Sequence, residues 1–223
     1  MLTGSSMHAE SDNAAALGAT VQGSNIVLVG ASGAGKSVVG VLLARLLGFG
    51  FIDLDKEIEV EAGDSVEAIF AAQGEDQFRR LETQIVKRLE GLRSHVVATG
   101  GGAVMDDENW GLLSQLGAVV WLNTPPEEIA RRLLSKEDEI LRRPLLAEVL
   151  THKDPETKLK LLTERINALI GFRAGRYRQA HITVSDHFST PQSTAQLVRS
   201  SLIQAGFLKL YAEVKPYDRW QIL

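Results

Sequence analysis

The chain has 223 residues, of which 44% are hydrophobic and 23% charged, a composition typical of one globular domain with tails. Its net charge of −4 disfavours nucleic-acid binding, and the absence of cysteine excludes disulfides, thiolate metal sites and cysteine nucleophiles. No apolar run reaches the roughly 18 residues that span a membrane, so we expect neither nucleic acid nor a membrane as a partner. A chain without cysteine suits a reducing compartment, and we expect a cytoplasmic location.

Short apolar runs alternate with longer helical patterns along the chain. In chain order, they predict a strand at 26–30, a helix at 37–48, a strand at 50–55, helices at 56–74 and 76–92, strands at 95–102, 118–125 and 180–186, and a helix at 191–206. Apolar strands separated by helices of ten or more residues indicate βαβ units and a parallel sheet covered on both faces. The predicted fold class is α/β, a three-layer αβα arrangement with a five-stranded parallel sheet. We expect residues 1–24 to be a disordered leader, 25–208 one domain and 209–223 a C-terminal tail.

A glycine-rich segment joins the first predicted strand to the first helix. Residues 30–37, Gly-Ala-Ser-Gly-Ala-Gly-Lys-Ser, match the phosphate-binding pattern G-x-x-x-x-G-K-[ST] at every fixed position. Glycines allow successive backbone N–H groups to turn inward and form an anion-binding nest with the helix N-terminus. Lys36 would reach the β- and γ-phosphates of a nucleotide, and the Ser37 hydroxyl would bind Mg²⁺. The candidate ATP-binding residues of this loop are Gly33, Ala34, Gly35, Lys36, Ser37 and Val38.

Two aspartates follow the second predicted strand. Asp53 and Asp55 are two residues apart, so the strand period turns both toward the same side. Ligands of parallel α/β sheets bind outside the carboxyl ends of the strands, where these side chains are expected. One carboxylate would help to hold the metal shell and the other would accept a proton from a hydroxyl. The alternative is that both aspartates cap the next helix.

Two further groups of residues have a pattern that suits a small anionic substrate. Arg79 and Glu82 are i,i+3 neighbours on a predicted helix, and their pairing would hold a guanidinium ready for a carboxylate. The alternative for this pair is a solvated, charged helix face. At the end of the third strand, Gly100, Gly101 and Gly102 permit a close approach between the backbone and a small substrate.

Arginines are frequent in the second half of the chain. The charged run 135–143 precedes Pro144, and we expect it to be a mobile lid that brings Arg142 or Arg143 onto the phosphates. Residues 171–180 add three more arginines between a predicted helix and the last strand, namely Arg173, Arg176 and Arg178.

Taken together and in this order, the motifs resemble those of the shikimate kinase family of P-loop kinases. The segments that carry the resemblance are GASGAGKS, FIDLD, IFAAQGEDQFRRLE, ATGGGAV, RRPLL and RAGRYRQA, and the resemblance covers residues 25–208. The resemblance implies a P-loop kinase fold with a mobile lid. It also implies ATP-dependent, Mg²⁺-requiring phosphorylation of the 3-hydroxyl of shikimate, on the route to chorismate and the aromatic amino acids, by a cytoplasmic monomer.

The resemblance implies a role for each nucleotide-side residue. Lys36 and Ser37 bind the ATP phosphates and Mg²⁺, and Asp53 lies near the metal through water. Arg143, before Pro144, covers the phosphates and acts in catalysis together with Lys36. Arg132 is an adenine-stacking candidate, although the loop after it differs in length from the family pattern.

On the acceptor side, the resemblance implies that Asp55 holds the shikimate hydroxyls and accepts the proton of the 3-hydroxyl. Arg79 and Arg173 clamp the carboxylate, with Glu82 supporting Arg79, and Gly101 with its flanking glycines contacts the ring hydroxyls.

Two departures from the family pattern concern the second clamp residue. The family has Pro-Leu-Tyr where this chain has Gly175-Arg176-Tyr177. The 30 positions from Arg143 to Arg173 exceed the family spacing, and the surplus in 147–172 predicts an extended helix. Arg165 is therefore a competing candidate for the second clamp.

Two other functions remain open at this point. One is another small-metabolite kinase of the same fold, similar to gluconate kinase, which the paired arginines and the glycine loop disfavour. The other is a non-catalytic ligand sensor built on the shikimate kinase fold, which the presence of Lys36, Asp55 and Arg79 disfavours.

Overall fold

The computed structural model describes residues 25–136, 140, 146–185 and 190–208. The strands are β1 (Asn25–Val29), β2 (Gly50–Asp53), β3 (His95–Ala98), β4 (Gly117–Asn123) and β5 (Ile182–Ser185). The α-helices of these residues are α1 (Lys36–Leu47), α2 (Leu54–Ala62), α3 (Val66–Arg88), α4 (Asp107–Leu116), α5 (Pro126–Leu134), α6 (Pro155–Tyr177) and α7 (Pro191–Gln204). Short 3₁₀ helices occupy Ala103–Met105 and Ala147–Thr151.

The strands form one all-parallel sheet in the order β2-β3-β1-β4-β5. Alternate side chains of the central strand β1 are buried on opposite faces, as the strand period requires. Val27 and Val29 pack in a core with α2, α3 and α4, whereas Ile26 and Leu28 pack in a core with α1 and α7. The predicted three-layer α/β fold with a five-stranded parallel sheet is confirmed.

The boundary between α2 and α3 differs from the prediction of helices at 56–74 and 76–92. Helix α2 ends at Ala62 and is capped by Gly63, which has a left-handed φ of 69°. The Ser65 hydroxyl caps α3 by accepting a hydrogen bond from the Ala68 amide at 3.3 Å. Gly74, the predicted break, has φ 80° and ψ 174°, a non-helical conformation that divides α3 into two helical halves at the predicted position. The predicted strand 50–55 ends at Asp53, because Asp53 caps α2.

Helix α6 is longer toward its C-terminus than the prediction. Asp154 caps its start by accepting a hydrogen bond from the Thr157 amide at 2.7 Å, and Pro155 occupies the first turn. The helix continues through Tyr177, so Arg173 and Arg176 lie on the helix and not in a loop before the last strand, where they were predicted. Residues of α5 and α6 pack with Ala31 and Ala34 of the glycine-rich loop, so this helix pair supports that loop from one side.

Asn25 joins three chain segments at the amino ends of the strands. Its Nδ2 donates to the carbonyl oxygens of Leu92 and Leu116 at 2.7 and 3.0 Å, and its Oδ1 accepts from the His95 amide at 3.0 Å. This end of the sheet is therefore held by hydrogen bonds, and the opposite, carboxyl end carries the candidate site.

Several expectations concern residues outside this description. They are the leader at 1–24, the tail at 209–223, and most of the predicted lid, including Arg142 and Arg143. Among the helices that the structure does describe, none is long and apolar enough to cross a membrane.

Candidate active site

The glycine-rich loop between β1 and α1 has the backbone shape that its glycines permit. Gly33 and Gly35 have φ values of 86° and 93°, in the left-handed region that side-chain-bearing residues rarely adopt. A Cβ atom on Gly33 would also lie 2.8 Å from Cγ2 of Ile129 on α5. The hydroxyl of Thr124, just after β4, donates to the Ala34 carbonyl at 3.3 Å. The neighbouring elements thus hold the loop in shape.

Lys36 is the first residue of α1 and is 8% exposed. Its ammonium group donates to the carbonyl oxygens of Gly30 and Ala31, both at 2.9 Å, and so lies across the loop. Ser37 and Val38 follow in the first helical turn and are exposed. The N-terminus of a helix attracts anions, and a buried ammonium beside it strengthens this attraction for phosphate.

Arg132 lies beside the same loop. Its Nη1 is 3.9 Å from the point where a Cβ would lie if Gly35 carried a side chain. Its Nε donates a hydrogen bond to Glu128 at 2.9 Å. The side chain is 30% exposed, so part of it is accessible beside the loop.

The two aspartates after the second strand do not share a strand face, contrary to the prediction. Asp53 caps α2 by accepting a hydrogen bond from the Asp55 amide at 3.1 Å, and Asp55 lies in the first turn of that helix. Capping, the alternative weighed for both residues, therefore applies to Asp53. Burial raises the pKa of Asp55 above its ordinary value, and the nearby Lys36 ammonium partly opposes this shift.

Asp55 lines a cavity of about 660 Å³, including its open mouth, at the carboxyl ends of the strands. The cavity brings together most of the residues predicted for the acceptor site with several apolar side chains. Its lining residues are Ser32, Asp55, Val66, Phe70, Phe78, Arg79, Glu82, Gly100, Gly101, Gly102, Leu146, Leu169 and Arg173.

The predicted pairing of Arg79 with Glu82 is present. Nη1 of Arg79 donates to Glu82 at 2.8 Å, and Nη2 donates to Glu75, one turn earlier in α3, at 3.0 Å. Glu82 is fully buried, and this burial raises its pKa to about 7, although Arg79 opposes the shift. The guanidinium is also 5.2 Å from the ring centroid of Phe78. Arg79 is therefore held in one pose with a 30% exposed side chain.

The glycine loop at 100–102 lies directly against two guanidinium groups. A Cβ on Gly102 would be 2.5 Å from Nη2 of Arg79, and a Cβ on Gly101 would be 3.1 Å from Nη1 of Arg173. A Cβ on Gly100 would be 2.7 Å from Oδ1 of Asp55. Side chains at these positions would occupy the space of the charged groups, so the glycines allow the two cations and Asp55 to lie close together.

Two polar atoms of this cavity have no hydrogen-bond partner among the residues described. They are Oε1 of Glu82 and Nε of Arg173, in side chains that are at most 9% exposed. Such buried polar atoms are uncommon in folded proteins. With two guanidinium groups on one loop, the ligand that fits best is an anion, and a carboxylate matches the geometry of a guanidinium.

Comparisons with known proteins agree with this arrangement. The family model for shikimate kinase matches residues 32–202. The chain belongs to the shikimate kinase family. It is 37% identical over 179 residues to the shikimate kinase of Chlorobium limicola, with 80% of this chain and 86% of the relative covered. It is 46% identical over 155 residues to the shikimate kinase of a Synechococcus species, with 70% and 75% covered.

A solved structure of a shikimate kinase is similar as well. The enzyme from Acinetobacter baumannii in complex with shikimate has a TM-score of 0.70 and 36% identity to this chain. The match covers 86% of this chain and 99% of that one. The resemblance stated from the motifs is thus confirmed.

The structure separates the two candidates for the second clamp arginine of a shikimate kinase. Arg173 lines the cavity with Asp55 and Arg79. Arg165, two helical turns earlier in α6, lies in a different depression with Glu148 and His152. The lengthened segment before Arg173 extends α6, which places the two arginines at different sites.

Several residues of this shikimate kinase site were not predicted from the sequence. Glu75 is four residues before Arg79 on the same helix, so its pairing could have been predicted from spacing. The hydroxyl of Tyr177 donates to the Gly101 carbonyl at 3.0 Å, and Phe70 lines the cavity. Both residues contact segments that are distant in the sequence, and no local sequence pattern reveals such contacts.

Proposed function

We propose that this protein transfers the γ-phosphoryl group of ATP to the 3-hydroxyl of shikimate, giving shikimate 3-phosphate and ADP. The observation that carries the proposal is the cavity in which the guanidinium groups of Arg79 and Arg173 pack against the same glycine loop, beside Asp55. A carboxylate-bearing alcohol fits this set, because the guanidinium groups bind the carboxylate and Asp55 receives the hydroxyl proton. The adjacent phosphate-binding loop and membership of the shikimate kinase family support it.

The phosphate-binding loop supplies the nucleotide side of the proposed reaction. Phosphoryl transfer needs in-line placement and positive charge around the transferred group more than covalent chemistry. The amides of 33–38 and the Lys36 ammonium would provide that charge. Arg132 at the loop would contact the adenine, and Arg143 would cover the phosphates from the lid segment.

Mg²⁺ is the metal that we propose for this site. It binds proteins through one or two oxygen ligands and keeps several waters, so it needs no cluster of acidic residues. The Ser37 hydroxyl at the start of α1 and the Asp53 carboxylate at the end of β2 fit such a donor set, and Mg²⁺ there would neutralise phosphate charge.

On the acceptor side, Asp55 would act as the proton acceptor. Burial raises its pKa, which makes its carboxylate a stronger base than an exposed aspartate, and Lys36 keeps the ionised form accessible. Arg79 and Arg173 would fix the substrate carboxylate, and the backbone of 100–102 would contact the ring hydroxyls. This arrangement would place the 3-hydroxyl between Asp55 and the nucleotide.

The remaining expectations belong to the same proposal. We propose a cytoplasmic monomer whose residues 25–208 form the catalytic domain, with no nucleic-acid or membrane partner. Sedimentation of the purified chain tests the oligomeric state.

Measurement of ADP release with and without shikimate tests the function. ADP release by the wild-type protein should require shikimate, and gluconate should not replace it. Arg79→Ala should raise the KM for shikimate about 100-fold or more, since it removes a charged partner of a carboxylate, and should leave the KM for ATP nearly unchanged. Arg80→Ala is the matched control, because Arg80 is the exposed neighbour on the same helix. An equal effect of Arg79→Ala on both KM values, or ADP release independent of shikimate, would refute the proposal.

A further inference from the structure

Tyr177 is a fully buried tyrosine at the last position of α6. Its Oη donates a hydrogen bond to the carbonyl oxygen of Gly101 at 3.0 Å. It follows Arg173 by four residues, so the two side chains lie on the same face of the helix, one turn apart. One helical turn therefore carries both an arginine of the cavity and the residue that contacts the middle of the glycine loop.

The ring of Tyr177 is held from the side of the sheet. It stacks on Trp121 of β4, with ring centroids 5.5 Å apart and an interplanar angle of 20°. Trp121 pairs in register with Val29 of β1. Its Cδ1 is 3.6 Å from the point where a Cβ would lie if Gly30 carried a side chain, so the indole lies next to Gly30. The stacked rings thus lie between the start of the phosphate-binding loop and the glycine loop. Since a stacked, buried ring has few alternative rotamers, the hydroxyl is presented in a fixed position.

The residue before Tyr177 provides a second attachment of the same turn. Arg176 forms an ion pair with Asp107 at the start of α4, and its guanidinium is 5.4 Å from the ring centroid of Trp110. Helix α4 follows the glycine loop after one 3₁₀ turn, Ala103–Met105. The last turn of α6 therefore contacts the glycine loop at Gly101 and contacts the start of α4, just after that loop.

We infer that Tyr177 is a positioning residue for the acceptor site, which fixes the Gly101 carbonyl and through it the distance between the glycine loop and Arg173. A loop of three successive glycines has more backbone freedom than any other sequence and needs external anchors to keep one shape. The hydroxyl of Tyr177 is such an anchor. The inference rests on the proposed function, because it concerns the binding of the same acceptor substrate.

Tyr177→Phe tests the inference, since phenylalanine keeps the ring and its stack on Trp121 and removes only the hydroxyl, with its bond to the Gly101 carbonyl and its contact with Arg173. Loss of one buried hydrogen bond should raise the KM for shikimate about five- to tenfold. The KM for ATP and kcat should change less than about twofold, because the ring that faces the phosphate-binding loop is retained. The double variant with Arg173→Lys should show non-additive effects on the KM for shikimate, since both changes act on one arrangement.

Thr194→Val is the matched control. Thr194 is also a buried residue whose hydroxyl donates to a backbone carbonyl, that of Thr190 at 3.1 Å, but it lies in α7 outside the cavity. This variant should leave both KM values unchanged.

Three outcomes would overturn the inference: an unchanged KM for shikimate in Tyr177→Phe, an equal rise in both KM values, or a melting temperature lowered by more than about 5 °C, which would indicate a general structural role. If the wild-type protein released no ADP with shikimate, the proposed function would fail instead.

Discussion

Gly102→Ala tests how closely the glycine loop and Arg79 fit. The backbone of Gly102, with φ −104° and ψ −15°, is accessible to alanine, so the change adds no backbone strain. The added Cβ would lie 2.5 Å from Nη2 of Arg79 and 2.8 Å from both Cζ and Nη1. Ordinary contacts between such atoms are about 3.5 Å, so the guanidinium must move away by about 1 Å.

The displacement has a calculable consequence. Nη1 of Arg79 is 2.8 Å from Glu82, and a shift of about 1 Å lengthens this contact beyond hydrogen-bond range. The displaced guanidinium would also lose its charge-assisted hydrogen bond to the substrate carboxylate, which contributes about 1.5–3 kcal/mol and corresponds to a factor of roughly 10 to 100 in binding. We therefore expect the KM for shikimate to rise 10- to 100-fold, with the KM for ATP within about twofold of wild type.

The assay is coupled ADP release with shikimate varied at saturating ATP. Gly111→Ala in α4 is the control, since a Cβ there meets nothing within 4 Å. A folded Gly102→Ala protein with the wild-type KM for shikimate would show that the position of Arg79 does not determine substrate binding.

Three further predictions concern the phosphate-binding loop, the buried glutamate and the sheet. Lys36→Ala should lower kcat about 100- to 1000-fold in the ADP-release assay, because one preorganised positive group is lost, whereas the exposed Lys160→Ala should behave as wild type. The pKa of Glu82, raised to about 7 by burial, should rise further when a substrate carboxylate binds nearby, so shikimate binding near pH 7 should take up protons. Calorimetry in buffers of different ionisation enthalpy should detect this uptake in the wild type and lose it in Glu82→Gln, and proton release would contradict the reasoning. Asn25→Ala should lower the free energy of unfolding in urea by about 3 kcal/mol, since it leaves buried backbone groups unpaired, while the exposed Asn167→Ala should change it by less than about 0.5 kcal/mol. If Asn25→Ala unfolded at the wild-type midpoint, its hydrogen bonds would not stabilise the fold.

The fold and the phosphate-binding loop could be predicted from the sequence because their signals are local. Continuous apolar strands specify a sheet covered on both faces, and the spacing of Gly30, Gly35 and Lys36 specifies the loop. The pairing of Arg79 with Glu82 was predicted for the same reason, since helical neighbours three residues apart meet whatever the tertiary structure.

The errors arose where two local signals compete. The alternation that placed Asp53 and Asp55 on one strand face was overridden by helix capping, which ends β2 at Asp53. Gly74, by contrast, was predicted correctly as a break, since its non-helical backbone interrupts α3, whereas the helix end before Gly63 was missed. Spacing alone left Arg165 open beside Arg173, because which arginine faces the cavity depends on how α6 packs against the rest of the fold.

Because Tyr177 stacks on Trp121, the fluorescence of Trp121 should respond to ligand binding. An indole ring in contact with a phenol that touches the glycine loop should change its emission when that loop is occupied. Replacing Trp110 and Trp220 with phenylalanine would leave Trp121 as the single tryptophan of the chain. Titrating that variant with either substrate alone would then show, without any turnover, which ligand disturbs the space between the two loops.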